Sequence, residues 1–142
     1  MRRWWIVLLV ILAGCGGQAP ARRRGQLTVC KSNCKNLATA LEMYATDNAG
    51  CYPASLSMLT TNYLRAIPEC PTAGKETYSS SYKFEVARRD KAGKVVSGRD
   101  YFEFCCSGDN HKEAFTGMEG GFSGSTQNLP ACNSIKGVIE RP

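Results

Sequence analysis

The sequence lacks both an apolar run long enough to span a membrane and a second histidine. Its longest apolar run, Trp4–Ala13, has ten residues, whereas a spanning helix needs about 20 residues. This run is therefore predicted to be a targeting segment and not a stem. The one histidine, His111, is accompanied by no serine in a Gly-x-Ser-x-Gly elbow and by no obvious carboxylate pair. These absences favour a non-catalytic protein, with His111 in a solvent-facing loop.

The first fifteen residues are typical of an export signal. Arg2 and Arg3 precede the apolar run, and small residues lead directly into Cys15, which Gly16 and Gly17 follow. This order resembles a bacterial lipobox. The resemblance implies cleavage before Cys15, a diacylglycerol in thioether linkage to its sulfur, and acylation of the new amino terminus with a chain such as palmitate. The alternative is a plain secretory signal with a chance cysteine.

Lipidation predicts a location in the bacterial cell envelope, because two or more acyl chains anchor a protein stably. We expect the outer membrane in preference to the inner. Removal of residues 1–14 leaves 128 residues with a formal net charge of +4 instead of +6, a length typical of one domain. Residues 15–26, which include Arg22–Arg24, are predicted to form a flexible tether before a globular domain at 27–142. No basic stripe is interleaved with aromatic residues, so nucleic acid is not an expected partner.

The sequence has eight cysteines, and disulfides persist in the compartment where an exported chain folds. Lipidation uses Cys15, so up to three bridges can form among the other seven, and at least one thiol stays unpaired. The connectivity stays open, and an exchange-active thiol pair is the functional alternative. The disulfide candidates are Cys30, Cys34, Cys51, Cys70, Cys105, Cys106 and Cys132.

Hydrophobic spacing predicts one amphipathic helix at the start of the domain. Apolar residues recur every three or four positions from Leu27 to Tyr44, which places them on one helix face. Cys30 and Cys34 belong to that face. Gly50 ends the predicted helix, because glycine adopts the left-handed conformation that closes a last turn.

Alternation of apolar and polar residues then predicts a small antiparallel sheet. Tyr78–Ala87 and Tyr101–Cys106 alternate with the period of half-buried strands, and the loops between them suit a hairpin or meander. Ser107–Pro130 is rich in glycine and polar residues and is predicted to be a long surface loop, with Val138 and Ile139 in a closing edge strand. One long helix followed by a sheet is an α+β fold.

Several short stretches of this domain resemble a known superfamily when they are taken in order. They are Asn36–Tyr44, Thr46–Asn48, Tyr52-Pro53, Asn62–Leu64, Ile67-Pro68, Cys70-Pro71, Tyr78–Tyr82 and Cys106–Gly108. The stretches are similar to those of type IV pilins and type II secretion pseudopilins. The resemblance covers roughly residues 25–141. It implies a pilin-like headgroup, in which the second half of a long helix packs on an antiparallel sheet and cysteines clamp the C-terminal region.

The amino-terminal part departs from this superfamily. Its members carry a Gly-Phe type cleavage site, a glutamate shortly after it and an apolar helix of about 20 residues or more. The present sequence has none of these, and its first acidic residue is Glu42. We therefore expect that lipid on Cys15 replaces the membrane helix and that the protein does not polymerise as a pilin subunit.

Oxygen donors in the C-terminal loop are candidates for calcium binding. Asp109, Asn110 and Glu113 lie close together in the sequence, and pseudopilins resembling this domain hold calcium in a C-terminal loop. The group does not follow the EF-hand pattern. Ordinary solvated loop residues are the alternative.

Zinc bound by cysteines is a second candidate site, and the spacing disfavours it. Cys30-x-x-x-Cys34 and the adjacent Cys105 and Cys106 do not show the usual Cys-x-x-Cys knuckle. Oxidised pairing of the thiols is therefore the stronger expectation. No cofactor is expected besides the covalent lipid, with calcium as the open case.

Two functions are consistent with these patterns. The first is a membrane-tethered, pilin-like structural or interaction protein that associates with pilin or secretion-system proteins. The alternative is a free-standing envelope lipoprotein that binds a small ligand or calcium through its loop rich in glycine, which contains Gly117, Gly120, Gly121 and Gly124.

Overall fold

A computed structural model describes residues 18–116 and 125–139, and it shows one long helix with a small antiparallel sheet. This confirms the predicted α+β class. The predicted export signal, Cys15 and the four loop glycines lie outside the described residues. In chain order the elements are α1 (Gln18–Asp47), 3-10 turns at Leu56–Thr60 and Ser79–Ser81, β1 (Lys83–Glu85), β2 (Arg88–Arg89), β3 (Val95–Ser97), β4 (Tyr101–Cys105), α2 (Lys112–Thr116), β5 (Ala131–Asn133) and β6 (Gly137–Ile139).

The helix α1 begins nine residues before the predicted Leu27. Residues 18–26, which were assigned to a flexible tether, are helical, so that part of the prediction is wrong. The segment is rich in alanine, arginine and glutamine, which favour helix strongly, and Pro20 falls in the first turn, where no backbone donor is needed. The predicted end is confirmed. Gly50 has φ +85° and its N–H donates to the carbonyl of Ala45 at 2.8 Å.

One face of α1 supplies the first layer of the core. The predicted positions Leu27, Cys30, Cys34, Leu37 and Leu41 are all buried, which confirms the spacing argument. The side chains of residues 19–25 are exposed instead. The first two turns of the helix therefore contribute no buried side chain to the core, although Arg23 forms an ion pair with Glu113 of α2. The described residues include no helix both long and apolar enough for a membrane crossing.

The main sheet has the strand order β1-β4-β5-β6, and every neighbouring pair is antiparallel. Phe102 and Phe104 of β4 are buried, while the residues on either side of each are half-buried. The predicted alternation is therefore confirmed in this strand. β6 is the predicted edge strand. The other predicted strand, Tyr78–Ala87, is shorter than expected: only Lys83–Glu85 form β1, because the chain then turns into a separate β2–β3 hairpin. The side chains of Phe84 and Val86 are exposed.

The segment predicted as a long surface loop is partly a packed structure. Residues 112–116 form α2, and Ala114 and Phe115 pack with Leu27 and Leu129 in a second buried cluster. The prediction failed here because two apolar residues in a polar segment leave no periodic pattern. The burial of α2 against α1 carries the residues just before it into the interior.

Candidate functional site

Three cysteines and the histidine meet in the interior between α1 and α2. The sulfur atoms of Cys30, Cys70 and Cys106 and a ring nitrogen of His111 all lie within 4.8 Å of one another. All four residues are buried. Among the residues that the structure describes, this is the one such group of three or more histidine, cysteine or acidic side chains. We call these four residues the thiol–imidazole quartet.

Cys30 and Cys70 are brought together by side chains of α1. Cys30 lies on the buried face of the helix, and Gln26 and Asn33 on either side of it donate hydrogen bonds to the carbonyls of Pro71 and Glu69 at 3.1 and 2.9 Å. These bonds hold the turn that contains Cys70 against the helix. The turn closes on itself, since the N–H of Cys70 donates to the carbonyl of Lys75 at 2.9 Å.

Cys106 and His111 come from the end of β4 and the start of α2. The N–H of Cys106 donates to the carbonyl of Pro130 at 2.9 Å, which continues the pairing of β4 with the β5 side of the sheet. The carbonyl of His111 accepts from the N–H groups of Ala114 and Phe115 at 2.9 and 3.3 Å. His111 is 2% exposed. The prediction of a solvent-facing histidine is therefore wrong, because α2 packs on α1 and carries His111 inward.

Both ring nitrogens of His111 have partners. Nε2 lies 3.4 Å from Sγ of Cys70, and Nδ1 lies 3.2 Å from Oγ1 of Thr72. A hydrogen bond at one nitrogen sets which nitrogen carries the proton and how the ring is oriented. With Thr72 accepting from Nδ1–H, the lone pair of Nε2 points toward the sulfur atoms.

The sulfur atoms are themselves surrounded by hydrogen-bonding groups. Oη of Tyr78 lies 3.1 Å from Sγ of Cys30. Oγ1 of Thr77 lies 3.3 Å from Sγ of Cys106, and the amide of Asn110 donates to the same sulfur at 3.4 Å. A thiolate at either position would therefore have donors within reach.

The three thiols of the quartet have raised pKa values. The hydrogen bond with Cys106 is the largest influence on Cys30 and lowers its pKa, but Cys34 and burial together outweigh it and raise the pKa to about 12. The hydrogen bond with Cys30, followed by burial, raises the pKa of Cys106 to about 11. Burial also raises the pKa of Cys70. A raised pKa lowers the fraction of thiolate, which is the form that takes part in thiol exchange.

The quartet has the composition of a metal site. Three sulfurs and one imidazole nitrogen are a known ligand set for tetrahedral zinc, with the ligand atoms about 3.8 Å apart when each Zn–S bond is about 2.3 Å. The spacing argument against zinc considered Cys30 with Cys34 and Cys105 with Cys106. The structure instead takes one thiol from each of these pairs and completes the set with Cys70 and His111.

The seven cysteines of the described residues are free thiols in this structure. Cys34 and Cys132 are buried outside the quartet, and Cys51 and Cys105 are half-buried. Cys105, the last residue of β4, is half-buried, whereas Cys106, which follows the strand, is buried.

The predicted calcium ligands lie at the mouth of a cleft of about 380 Å³ that also contains Arg23 and His111. Glu113 forms an ion pair with Arg23 at 2.7 Å. Asp109 accepts a hydrogen bond from Thr126 at 2.5 Å. Asn110 directs its amide nitrogen inward to Cys106. The structure therefore brings the three residues together at one cleft, with their polar groups engaged by the protein, and calcium binding there stays a prediction.

The residues around the quartet were not identified from the sequence. Thr72, Thr77 and Tyr78 carry no motif, and the spacing Cys106-x-x-x-x-His111 is a local signal that the sequence argument did not use. Comparisons with protein-family models, curated proteins and solved structures found no match to this chain.

Proposed function

We propose that this chain is a non-catalytic, lipid-tethered interaction domain of pilin-like build, associated with an apparatus of the type IV pilus or type II secretion kind. The observation that carries the proposal is the arrangement of one long helix whose buried face lies on an antiparallel sheet. The same arrangement is implied by the superfamily resemblance of residues 25–141.

The amino-terminal turns of α1 suit a tethered headgroup. The helix begins three residues after Cys15, and its first two turns, which span roughly 10 Å at 1.5 Å per residue, carry the exposed residues 19–25. Arg22, Arg23 and Arg24 belong to these turns, and Arg23 forms an ion pair with Glu113. With lipid on Cys15, these turns would lie near the membrane surface, where anionic headgroups attract a nearby arginine by about 1 kcal/mol.

Exposed apolar side chains on the hairpin side of the sheet provide a contact surface. Phe84, Val86, Val95 and Val96 are 40–56% exposed and fall within one short stretch of chain. Single exposed apolar residues are ordinary, whereas a large contiguous apolar patch marks an interaction surface. Because successive residues of a strand point to opposite faces, Val95 and Val96 expose apolar side chains on both faces of β3. We call these four residues the hairpin surface and propose that it contacts the apparatus.

The tether is tested by labelling. The wild-type protein should incorporate labelled palmitate and partition into detergent, and Cys15→Ser should abolish both. Retention of the label by Cys15→Ser would mean that the lipid is not on this cysteine.

The partner is tested by proximity labelling from the tethered domain in cells. Pilus or secretion components should be enriched with the wild-type protein and lost with the double variant Val95→Glu and Val96→Glu. Ile135→Glu is the matched control, because Ile135 is 65% exposed but lies in the β5–β6 turn. Equal labelling of apparatus components by the hairpin variant and the control would show that the hairpin surface does not contact them.

A second function is favoured by the cleft near α2. Asp109, Asn110 and Glu113 line it together with two basic side chains, and the loop rich in glycine follows α2 directly. A free-standing envelope lipoprotein would use this cleft for calcium or a small ligand. Calcium titration of the purified protein by calorimetry separates the two functions. The second function is favoured if the protein binds calcium and Glu113→Gln and Asp109→Asn abolish that binding, and if no apparatus component is enriched in the labelling experiment.

A further inference from the structure

We propose that the thiol–imidazole quartet binds one zinc ion and that this ion is a structural staple of the domain. Cys30, Cys70, Cys106 and His111 are the four ligands, with His111 binding through Nε2. The proposal does not depend on the lipid tether or on the partner. It rests on the geometry, burial and surroundings of the four side chains.

The ligand set and its spacing point to zinc. Thiolates and imidazole in a tetrahedral arrangement suit zinc, and oxygen donors, which magnesium and calcium require, are absent from the quartet. The separation of 3.4 Å between Nε2 of His111 and Sγ of Cys70 is close to the edge of a zinc tetrahedron, about 3.5 Å for one sulfur and one nitrogen. The other ligand atoms, all within 4.8 Å, must move inward by about 1 Å or less.

The burial of the quartet makes the site structural. The three cysteines are 0% exposed and His111 is 2% exposed. A catalytic zinc keeps one position open for water or substrate, whereas a structural zinc is closed by four protein ligands. All four positions here are supplied by side chains, so no position remains for a reacting molecule.

The surroundings of the quartet are those of metal ligands. Oγ1 of Thr72 lies 3.2 Å from Nδ1 of His111 and can accept from Nδ1–H, which would present Nε2 to the ion, as second-shell partners of zinc-bound histidines do. Zn²⁺ with three thiolates and one neutral imidazole gives the site a net charge of −1. Tyr78, Thr77 and Asn110 offset that charge, because each can donate a hydrogen bond to a ligand sulfur at 3.1–3.4 Å.

Zinc binding would change the protonation of the three cysteines. Binding of Zn²⁺ to Cys30, Cys70 and Cys106 releases three thiol protons to solvent, and the ion supplies the positive charge that a buried thiolate otherwise lacks.

The ion would join three parts of the chain that are far apart in the sequence. Cys30 belongs to α1 and Cys70 to a turn, while Cys106 directly follows β4 and His111 directly precedes α2. Much of what lies between them is short strand and irregular turn, so few regular elements hold these segments together. A bound ion would therefore fix the relative positions of the helix, the turn and the end of the sheet.

The first test is the metal content of the full-length protein isolated from the envelope in detergent, without added metal or reductant. We expect one zinc per chain by mass spectrometry of the digested sample. Exchange of zinc for Co²⁺ should give thiolate-to-cobalt charge-transfer absorption typical of three sulfurs in a tetrahedral site. A protein that contains no zinc, or that holds another metal at these ligands, would overturn the proposal.

The second test compares ligand variants with matched cysteine controls. Cys30→Ser, Cys106→Ser and His111→Gln should weaken zinc binding by roughly 100-fold or more, since loss of a second-shell partner alone weakens it about 10–100-fold. Cys51→Ser and Cys105→Ser should bind zinc like the wild type. If a ligand variant fails to fold, the zinc content and the cobalt spectrum of the wild-type protein still decide the question.

The third test addresses oxidation, which competes for the same thiols. Peptide mapping of the envelope protein under non-reducing, acid-quenched conditions should find Cys30, Cys70 and Cys106 unpaired. A disulfide that includes any of these three cysteines in most of the molecules would overturn the zinc site and support the disulfide clamp expected from the sequence.

Discussion

Tyr78→Phe separates a packing role of this tyrosine from a role in metal binding. Tyr78 is fully buried, its ring packs edge-on to Phe104 at 6.3 Å, and its hydroxyl lies 3.1 Å from Sγ of Cys30. The substitution keeps the ring and removes the hydroxyl alone. Asn33, which also contacts that hydroxyl, keeps its stronger hydrogen bond to the carbonyl of Glu69.

The expected loss of stability differs between the two metal states. Without metal, removal of one hydrogen bond should lower the free energy of unfolding by about 1 kcal/mol. With zinc bound, the Cys30 thiolate loses a donor, and a zinc affinity that falls about 10–100-fold subtracts roughly a further 1.4–2.7 kcal/mol. The total with zinc is then about 2–4 kcal/mol.

The measurement is urea unfolding of both proteins, once with excess zinc and once with a chelator, under reducing conditions. Tyr82→Phe is the control, because the Tyr82 hydroxyl donates to the carbonyl of Pro53 at 2.8 Å, outside the quartet. Its cost should be the same with and without zinc. If Tyr78→Phe also costs the same in both conditions, the hydroxyl does not support a metal ligand and the reasoning about the surroundings of the quartet fails.

Two further predictions concern the body of the domain. Phe102→Ala should lower the free energy of unfolding by about 3–5 kcal/mol, because the ring is buried between Tyr52 and Phe104, and a calorimetric scan with little change in melting temperature would contradict this packing. The Arg89 guanidinium lowers the pKa of Asp100. A carboxyl with a lowered folded pKa stabilises the fold above its unfolded pKa of about 3.9, and this contribution is lost as pH falls through the folded pKa. Urea midpoints should therefore fall less below about pH 4 for Asp100→Asn than for the wild type, and parallel curves would contradict the pairing.

The buried face of the long helix could be predicted because burial imposes a period on the sequence. Every position from Leu27 to Leu41 at the helical spacing is in the core. The first two turns could not be predicted in this way, since residues 19–25 are exposed and need no apolar stripe. Intrinsic propensity alone marks them, and the proline and glycines around them obscured it.

The sheet was predictable where a strand is buried on one face. β4 alternates between buried and half-buried residues, and its alternation was recognised. The stretch around Phe84 and Val86 alternates equally well, yet both side chains are exposed. Alternation cannot tell a face that covers the core from one that is left for solvent or for a partner.

The quartet could not be predicted from spacing because its ligands come from three separate parts of the chain. Zinc motifs are recognised by cysteines three or four positions apart, which lie on one turn or one knuckle. Here the nearest pair is Cys106 and His111, and the other ligands are brought in by tertiary packing of α1 and the Cys70 turn. If Cys15 is lipidated, seven cysteines remain, and this odd number is the compositional sign that disulfides alone do not account for them.

The last prediction is that the protein is not incorporated into filaments as a pilin subunit. A filament core of the resembling superfamily is built by packing apolar helices, whereas the first described turns of α1 are exposed and carry Arg22–Arg24. Arg23 forms an ion pair with Glu113 of the same domain. Burial of guanidinium groups without partners in an apolar core costs on the order of several kcal/mol each.

Lateral contact through the hairpin surface does not require that burial, so the protein is expected beside a filament and not within it. The measurement is to shear surface filaments from cells and to quantify this protein against a true pilin in the sheared fraction. We expect trace amounts at most. Recovery at a stoichiometric level, with Cys15 unlipidated, would show that the polar turns of α1 do enter a filament core and that the tether argument is wrong.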